Sequence, residues 1–139
     1  MRAALVDAGA LIALLDRSDA GHTRIVSALT HVTVPLVSVW PVVTEAMHLL
    51  RHVTRGQQAL FEMIDDGAVA FADLDARDDL RRMNALMQKY RDLPMDFADA
   101  ALVRVAEREG LNGILTLDAH FQIYRLPGRT RFKLLVTPH

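Results

Sequence analysis

The stretch V-D-A-G-A-L-I-A-L-L-D, from Val6 to Asp16, places a carboxylate inside an otherwise apolar run. A buried ionised group is costly unless it is paired or bound to a metal ion, so Asp7 requires a partner from elsewhere in the chain. The apolar run Ala3 to Val6 predicts a buried strand, and Gly9 to Asp16 predicts a helix that begins after a tight turn. The chain therefore opens with a strand that ends at an acid.

The same alternation of strand and helix continues along the chain. Further strands are predicted at Val32–Val39, Ala68–Leu74, Gly113–Leu117 and Phe132–Val136. Helices are predicted from Pro41, over Gln57–Ile64, over Asp78–Tyr90, and along a stripe from Ala98 to Ala106 that ends near Gly110. This order favours an α/β fold with three layers, α/β/α, and a mostly parallel central sheet.

The apolar positions of these helices predict which faces turn inward. The helix that begins at Pro41 carries Val42, Ala46, Leu49, Leu50 and Val53 at helical spacing, and the helix over Asp78–Tyr90 carries Leu80, Met83, Leu86 and Met87. Trp40 is interpreted as a core residue rather than as a platform for stacking bases.

Length and composition restrict the class of protein. A chain of 139 residues fits one domain, 1–139, and a hydrophobic content of 51% excludes intrinsic disorder. The net charge of −1 means that any nucleic-acid site is local, and the lack of cysteine excludes disulfides and thiolate chemistry. No apolar run reaches the roughly 18 residues of a membrane span, and the N-terminus has no signal-peptide core. We therefore expect a cytoplasmic protein with no membrane partner.

Two acids end predicted strands. Asp7 follows the first strand, and Asp118 ends the strand G-I-L-T-L-D. In open parallel sheets the ligand crevice lies beyond the carboxyl ends of the strands, so both carboxylates are expected there. The period of two along a strand places Thr116 on the same side as Asp118, where its hydroxyl can bind a neighbouring carboxylate, water or phosphate.

Three further acids come from predicted helices. Glu45 lies in the first two turns of the helix that begins at Pro41, at the edge of its apolar stripe. In L-P-M-D-F-A-D-A-A-L, Asp99 borders the packed face, whereas Asp96 is nearly opposite and is expected to serve the helix dipole or an outer shell. Asp99 is therefore preferred over Asp96 as a site residue.

Four ionised carboxylates in one crevice would repel each other strongly without a cation. Mg²⁺ or Mn²⁺ prefers oxygen ligands and often joins carboxylates to a substrate phosphate, so the predicted chemistry is metal-assisted phosphodiester hydrolysis. Asp7 and Asp99 would bind the metal, Glu45 would help to bind it or accept a proton from water, and Asp118 would position a second metal or an outer-shell water. Whether one or two ions act stays open.

The chain resembles the PIN-domain family, and within it the VapC-type toxins of bacterial toxin-antitoxin pairs. The resemblance rests on the opening stretch, on T-E-A, on L-P-M-D-F-A-D-A-A-L-V-R-V-A-E-R-E-G-L and on I-L-T-L-D-A-H-F. It implies a Mg²⁺- or Mn²⁺-dependent ribonuclease whose acids are Asp7, Glu45, Asp99 and Asp118, and it implies a homodimer and a small antitoxin that blocks the cleft. Many members carry Thr-Asn or Ser-Ser where this chain has Ala8-Gly9.

RNA contact has local support in a basic run after Phe121 and Tyr124, namely Arg125, Arg129, Arg131 and Lys133, although a solvated C-terminal edge explains the run equally well. Three other interpretations compete with the nuclease. Glu45, His48 and His52 could line one helix flank as a transition-metal site. The acids could instead form the pocket of a phosphoacceptor receiver, or the chain could be a non-catalytic PIN-like module that binds RNA or protein.

Overall fold

A computed structural model describes residues 2–136 of the chain. The strands in that range are Ala4–Val6 (β1), Leu36–Ser38 (β2), Val69–Phe71 (β3), Gly113–Leu115 (β4), Arg125–Leu126 (β5), Thr130–Arg131 (β6) and Lys133–Leu134 (β7). The α-helices are Ala8–Leu15 (α1), His22–Leu29 (α2), Trp40–Leu50 (α3), Gly56–Asp65 (α4), Asp78–Lys89 (α5) and Phe97–Glu109 (α6). The predicted domain 1–139 also contains residue 1 and residues 137–139, which lie outside the described residues.

The central sheet has five strands in the order β3-β2-β1-β4-β7, and every neighbouring pair is parallel. The first three strands extend the sheet to one side, and β4 then returns to the other side of β1. The strand order therefore reverses between β1 and β4, which is where open α/β sheets bind their ligands. The small hairpin β5-β6 is antiparallel and separate.

The core lies on both faces of this sheet. Every residue of β1 and of β4 is buried, as expected for parallel strands that are covered on both faces. Helix α1 contacts α2, α3 and α4, whereas α5 packs on α6. The predicted three-layer α/β/α fold with a mostly parallel sheet is confirmed. Within residues 2–136, no helix combines the length and apolarity needed to cross a bilayer.

Several predicted boundaries differ from the structure. The sequence predicts a strand over Val32–Val39, but only Leu36–Ser38 pair in the sheet. The predicted strand is too long because the apolar residues extend beyond the hydrogen-bonded ladder. Helix α1 begins at Ala8 rather than Gly9, since the carboxylate of Asp7 caps it. Helix α2 and the β5-β6 hairpin were not predicted. Helix α2 has eight residues, buries only Ile25 and has no side-chain cap at its start.

Three predictions of buried side chains are wrong. The inner face of α3 is formed by Val42, Val43, Ala46 and Leu50, which turns Leu49 outward. Leu80 is also exposed, because the neighbouring Asp79 takes the inward position on α5. Trp40 is 56% exposed rather than in the core. It begins α3 at the carboxyl edge of the sheet, where its ring lies on that of Phe71 at the end of β3.

A buried ion cluster joins α5 to α6. The carboxylate of Asp79, which is 2% exposed, accepts hydrogen bonds from Arg104 Nε and Arg108 Nη1, each at 2.6 Å, and from the N–H of Asp75 at 2.6 Å. Burial opposes ionisation, but the Asp75 N–H and the two guanidinium groups hold the pKa of Asp79 below its usual value. Asp79 therefore stays ionised in the core and has a structural role.

We expect Asp79→Ala to lower the free energy of unfolding by about 3 kcal/mol, since it leaves two partly buried guanidinium groups without their shared partner. Urea denaturation measures this change. Asp78→Ala is the matched control, because Asp78 is the exposed neighbour in the same first turn of α5. Equal losses in the two variants would contradict a structural role for the cluster.

Candidate active site

A cleft opens at the carboxyl edge of the sheet, beside the reversal between β1 and β4. Its volume is about 340 Å³, and its walls come from the starts of α1, α3 and α6 and from the segment after β4. Five acids line it: Asp7, Glu45, Asp96, Asp99 and Asp118. The structure thus brings the four predicted metal-binding acids together and adds Asp96 at the same cavity.

Asp7 is fixed from two sides. Its Oδ1 accepts the N–H of Ala10 at 2.9 Å, which caps α1, and its Oδ2 accepts the hydroxyl of Thr116. Burial raises the pKa of Asp7 to about 6, although both hydrogen bonds lower it, and the charges of Asp118 and Glu45 raise it further. The hydrogen bonds orient this carboxylate but do not balance its charge.

Thr116 links the two acids that follow strands. Its buried hydroxyl donates to Asp7 and accepts the backbone N–H of Asp118 at 2.9 Å. Because a hydroxyl both donates and accepts, one side chain fixes the Asp7 carboxylate and the backbone at Asp118. This contact agrees with the predicted position of Thr116 beside the strand-end acids.

Asp99 lies in the first turn of α6, which begins after Asp96. The Oδ1 of Asp96 accepts the Asp99 N–H at 2.8 Å and so caps the helix. The Oδ2 of Asp99 accepts the hydroxyl of the fully buried Tyr124 at 2.9 Å. Burial, and then the charges of Asp96 and Asp118, raise the pKa of Asp99 to about 7, while the Tyr124 hydrogen bond lowers it.

Tyr124 is a residue of this site that the sequence did not single out for the role. Burial raises the pKa of its hydroxyl, and the adjacent charge of Asp99 raises it further, so the phenol stays protonated and donates. Its ring packs edge-on against Tyr90 and Phe121, with ring centroids 5.0 Å apart in both pairs. The core therefore holds the donor that orients Asp99.

Glu45 lies at the rim of the cleft and is exposed, whereas its position at the edge of an apolar stripe predicted shelter from solvent. Partial burial of its carboxyl group and the charge of Asp96 raise its pKa. Helix α3 contacts α6, and this contact brings Glu45 to the acids of the other helix. Glu45 thus completes the acidic wall from the side of α3.

His120 was missed by sequence reasoning. Its Nδ1 lies 3.6 Å from Asp118 Oδ1, and one ligand atom each from Asp99, Asp118 and His120 lie within 4.8 Å of one another. The sequence D-A-H offered one signal for His120, because this residue comes two positions after Asp118, where a tight turn keeps it near that acid. The acidic cluster therefore has one imidazole beside it.

The donor set fits a hard divalent cation. Carboxylate oxygens dominate it, and these are the ligands that Mg²⁺ and Mn²⁺ prefer. The lining residues described for the cleft include no lysine or arginine, so no side-chain cation there balances the acids. Burial first, and then the charges of neighbouring acids, raise the pKa values of Asp7, Glu45 and Asp99. A bound metal ion would stabilise the ionised form of these carboxylates.

The predicted RNA-binding residues do not line the cleft. The guanidinium of Arg125 donates to the carbonyl oxygens of Gln122, Ile123 and Tyr124, so it is held by the local backbone. The other three, Arg129, Arg131 and Lys133, are exposed on the hairpin and on β7. A direct role for this run at the acidic cleft therefore has no structural support.

The transition-metal interpretation also lacks support. Helix α3 ends at Leu50, so His52 lies in the turns beyond it and does not continue the flank of Glu45 and His48. Over residues 2–136, the residues whose ligand atoms converge are Asp99, Asp118 and His120 instead.

Comparison with known proteins identifies the family. The PIN domain model matches residues 4–126, and the chain belongs to the PIN-domain family. Membership in this family excludes the phosphoacceptor receiver. The chain is 29% identical over 134 residues to Ribonuclease VapC26 of Mycobacterium tuberculosis (strain ATCC 25618 / H37Rv), an alignment that covers 94% of this chain and 98% of that protein.

Two solved structures share the fold. Mycobacterium tuberculosis VapC20, described as a Sarcin-Ricin loop cleaving toxin, superposes with a TM-score of 0.76 at 19% identity, over 83% of this chain and 89% of that one. A toxin-antitoxin complex from Klebsiella pneumoniae superposes with a TM-score of 0.64 at 20% identity, over 84% of this chain and 87% of that one.

We expect the metal-free protein to lose stability relative to Asp99→Asn as pH rises from 5 to 8. The pKa of Asp99 is raised from 3.8 to about 7 in the folded state. The stabilisation of the folded state by protonated Asp99 is therefore complete below pH 3.8 and is lost as pH rises through 7. The difference in unfolding free energy between the two proteins should shift by on the order of 2 kcal/mol.

Urea denaturation in a chelating buffer at several pH values measures this difference, and Mg²⁺ at pH 8 should restore the wild type selectively. Asp66→Asn, which removes an exposed acid after α4, controls for the general effect of losing one negative charge. A difference that does not vary with pH would show that Asp99 is not under electrostatic stress.

Proposed function

We propose that this chain is a Mg²⁺- or Mn²⁺-dependent endoribonuclease and the toxin of a type II toxin-antitoxin pair. The observation that carries the proposal is the convergence of five acids on one cleft at the β1-β4 reversal of a PIN-domain chain. The ribonuclease VapC26 and the toxin VapC20 support this activity. A non-catalytic binding module would have no use for so many mutually repelling acids.

Each acidic side chain of the cleft has a different role in the proposed reaction. Asp7 and Asp99 would hold the metal, and Thr116 and Tyr124 orient their carboxylates. Glu45, at the more exposed rim, would help to hold it or would accept a proton from the attacking water. When bound, a divalent ion polarises the phosphodiester and lowers the pKa of that water.

Asp118 completes the acidic wall on the side of β4. Its Oδ1 accepts the N–H of His120 at 2.9 Å, which holds the carboxylate at the start of a tight turn. From there it would position a second ion or an outer-shell water. Asp96 caps α6 through its Oδ1 and so positions Asp99 at the cleft.

Purified protein, freed of any inhibitor, should cleave total cellular RNA in the presence of Mg²⁺ and not in the presence of a chelator. Asp7→Asn and Asp99→Asn should each reduce the rate by more than about 100-fold, the upper range for loss of an outer-shell partner at a metal site. Gel analysis of the RNA over time measures cleavage.

Asp66→Asn is the matched control and should cleave as fast as the wild type, because Asp66 is exposed and does not line the cleft. Full activity of Asp7→Asn, or cleavage that survives the chelator, would refute the metal-dependent mechanism.

We also propose that the active protein is a homodimer and that a small antitoxin blocks its cleft. The toxin-antitoxin complex that shares the fold supports a protein partner. Two large apolar side chains, Leu49 on α3 and Phe61 on α4, remain exposed on helices that contact each other. Burial of such side chains is a common driving force for association.

Light scattering at micromolar concentration should give about twice the chain mass of 15.5 kDa. Phe61→Arg should shift the protein toward the monomer, because a charge buried at an interface without a partner is unfavourable. A monomer at every accessible concentration of the wild type would argue against the dimer.

A further inference from the structure

A second cavity adjoins the acidic cleft. Its volume is about 640 Å³, and it is lined by residues from the starts of α3 and α6: Trp40, Pro41, Thr44, Glu45, His48, Asp96, Phe97 and Ala98. Three of these residues, Glu45, Asp96 and Ala98, also line the acidic cleft. The two cavities therefore share a wall. We call the second cavity the aromatic groove, and a polymer strand that leaves the cleft on this side would pass directly into it.

Two exposed aromatic rings distinguish the aromatic groove. The indole of Trp40 stacks on the ring of Phe71, with centroids 4.3 Å apart and planes inclined by 21°, yet Trp40 remains 56% exposed. Phe97, the first residue of α6, is 49% exposed. One face of the indole is thus held by the protein while much of the residue stays open to a ligand.

The charges of the groove restrict what it binds. The carboxylates of Glu45 and Asp96 are the acidic groups among its lining residues, and those residues include no lysine or arginine. A phosphate group would be repelled there. A flat, uncharged ring is suited to the groove, because aromatic side chains stack on the π-face of any nucleobase.

We propose that the aromatic groove binds an unpaired base of the RNA strand next to the scissile phosphate, with Trp40 as the stacking platform and Phe97 as the opposing wall. This inference rests on the proposed ribonuclease function. If the phosphate to be cleaved lies among the acids, the adjoining nucleotide must leave the cleft along its walls. The wall formed by Glu45, Asp96 and Ala98 leads to the two exposed rings.

This arrangement assigns different parts of a nucleotide to the two cavities. The acidic cleft, with a metal ion, takes the phosphate, and the aromatic groove takes the base. Trp40 is then a positioning residue that reduces the freedom of the strand and aligns the phosphate with the acids. Because stacking tolerates every base, the groove favours single-stranded over paired RNA without selecting a sequence.

Trp40 is the only tryptophan in the chain, so its fluorescence reports on the groove directly. We expect short single-stranded oligoribonucleotides, added to the wild-type protein in a chelating buffer that prevents cleavage, to quench this fluorescence in a saturable manner. An abasic oligomer of the same length and charge should quench it far less, which separates stacking from backbone contact.

Binding of a labelled oligoribonucleotide, followed by anisotropy, tests the variants. Trp40→Leu and Phe97→Leu should each weaken binding roughly ten-fold, and Trp40→Phe should retain most of it. Leu80→Ala is the matched control, since Leu80 is 38% exposed on α5 and does not line the groove. Circular dichroism checks that each variant is folded, as expected for substitutions at exposed positions.

The outcomes separate this inference from the proposed function. If the wild type cleaves RNA in a Mg²⁺-dependent manner but Trp40→Leu binds and cleaves it with unchanged Kd and KM, the groove proposal fails and the nuclease stands. A groove occupied by a second copy would make Trp40→Leu monomeric without weakening RNA binding, and that result also overturns the proposal. A Trp40 fluorescence that changes on addition of an antitoxin peptide but not of RNA would likewise overturn the proposal. Unchanged RNA cleavage by Asp7→Asn would instead refute the function.

Discussion

Repulsion among carboxylates at the carboxyl edge of the sheet is the constraint on which the rest of this site depends. Because β1 and β4 are adjacent and parallel, Asp7 and Asp118 follow them at the same edge of the sheet, and the contact of α3 with α6 adds Glu45, Asp96 and Asp99. Burial of Asp7 and Asp99 makes their charges more costly still. The stability of the fold elsewhere keeps these groups close together despite their repulsion, an arrangement that would favour the binding of a cation.

The fold fixes these acids with neutral donors rather than with cations. Asp7 accepts from Thr116 and from the α1 backbone, and Asp99 accepts from Tyr124. Many family members carry a polar pair after the first aspartate, where this chain has Ala8 and Gly9. Thr116 and the backbone supply the contacts to Asp7 here, and a Cβ at Gly9 would lie 3.9 Å from Asp7 Oδ1. Neutral donors orient a carboxylate without competing for its charge, which leaves its oxygens to a metal ion.

The positions of the strand-end acids followed from sequence because two local rules coincide there. An apolar run that ends at an acid marks both the strand and its carboxyl end, and the sheet rule then assigns Asp7 and Asp118 to one edge. Tyr124 and His120 gave no comparable signal, since their roles depend on contacts made by turns after β4. Leu80 was wrongly predicted to be buried, because two arginines of α6 stabilise the buried charge of the neighbouring Asp79, and hydrophobic periodicity does not reveal such an ion pair. Trp40 was wrongly predicted to lie in the core. The size and apolarity of its side chain favour burial, but they do not reveal that its helix begins at the open carboxyl edge of the sheet.

The separation of charge from aromatic surface explains how a protein of net charge −1 can act on a polyanion. A uniformly basic surface would gain affinity from phosphates along the strand, but the acidic cleft excludes that route unless a divalent ion bridges the carboxylates to the phosphate. Contacts that carry no charge add affinity without this repulsion, and base stacking contributes about 1–3 kcal/mol per base. The exposed ring of Trp40, supported from below by Phe71, is placed where such a contact would compensate for the electrostatic penalty of approaching the acids.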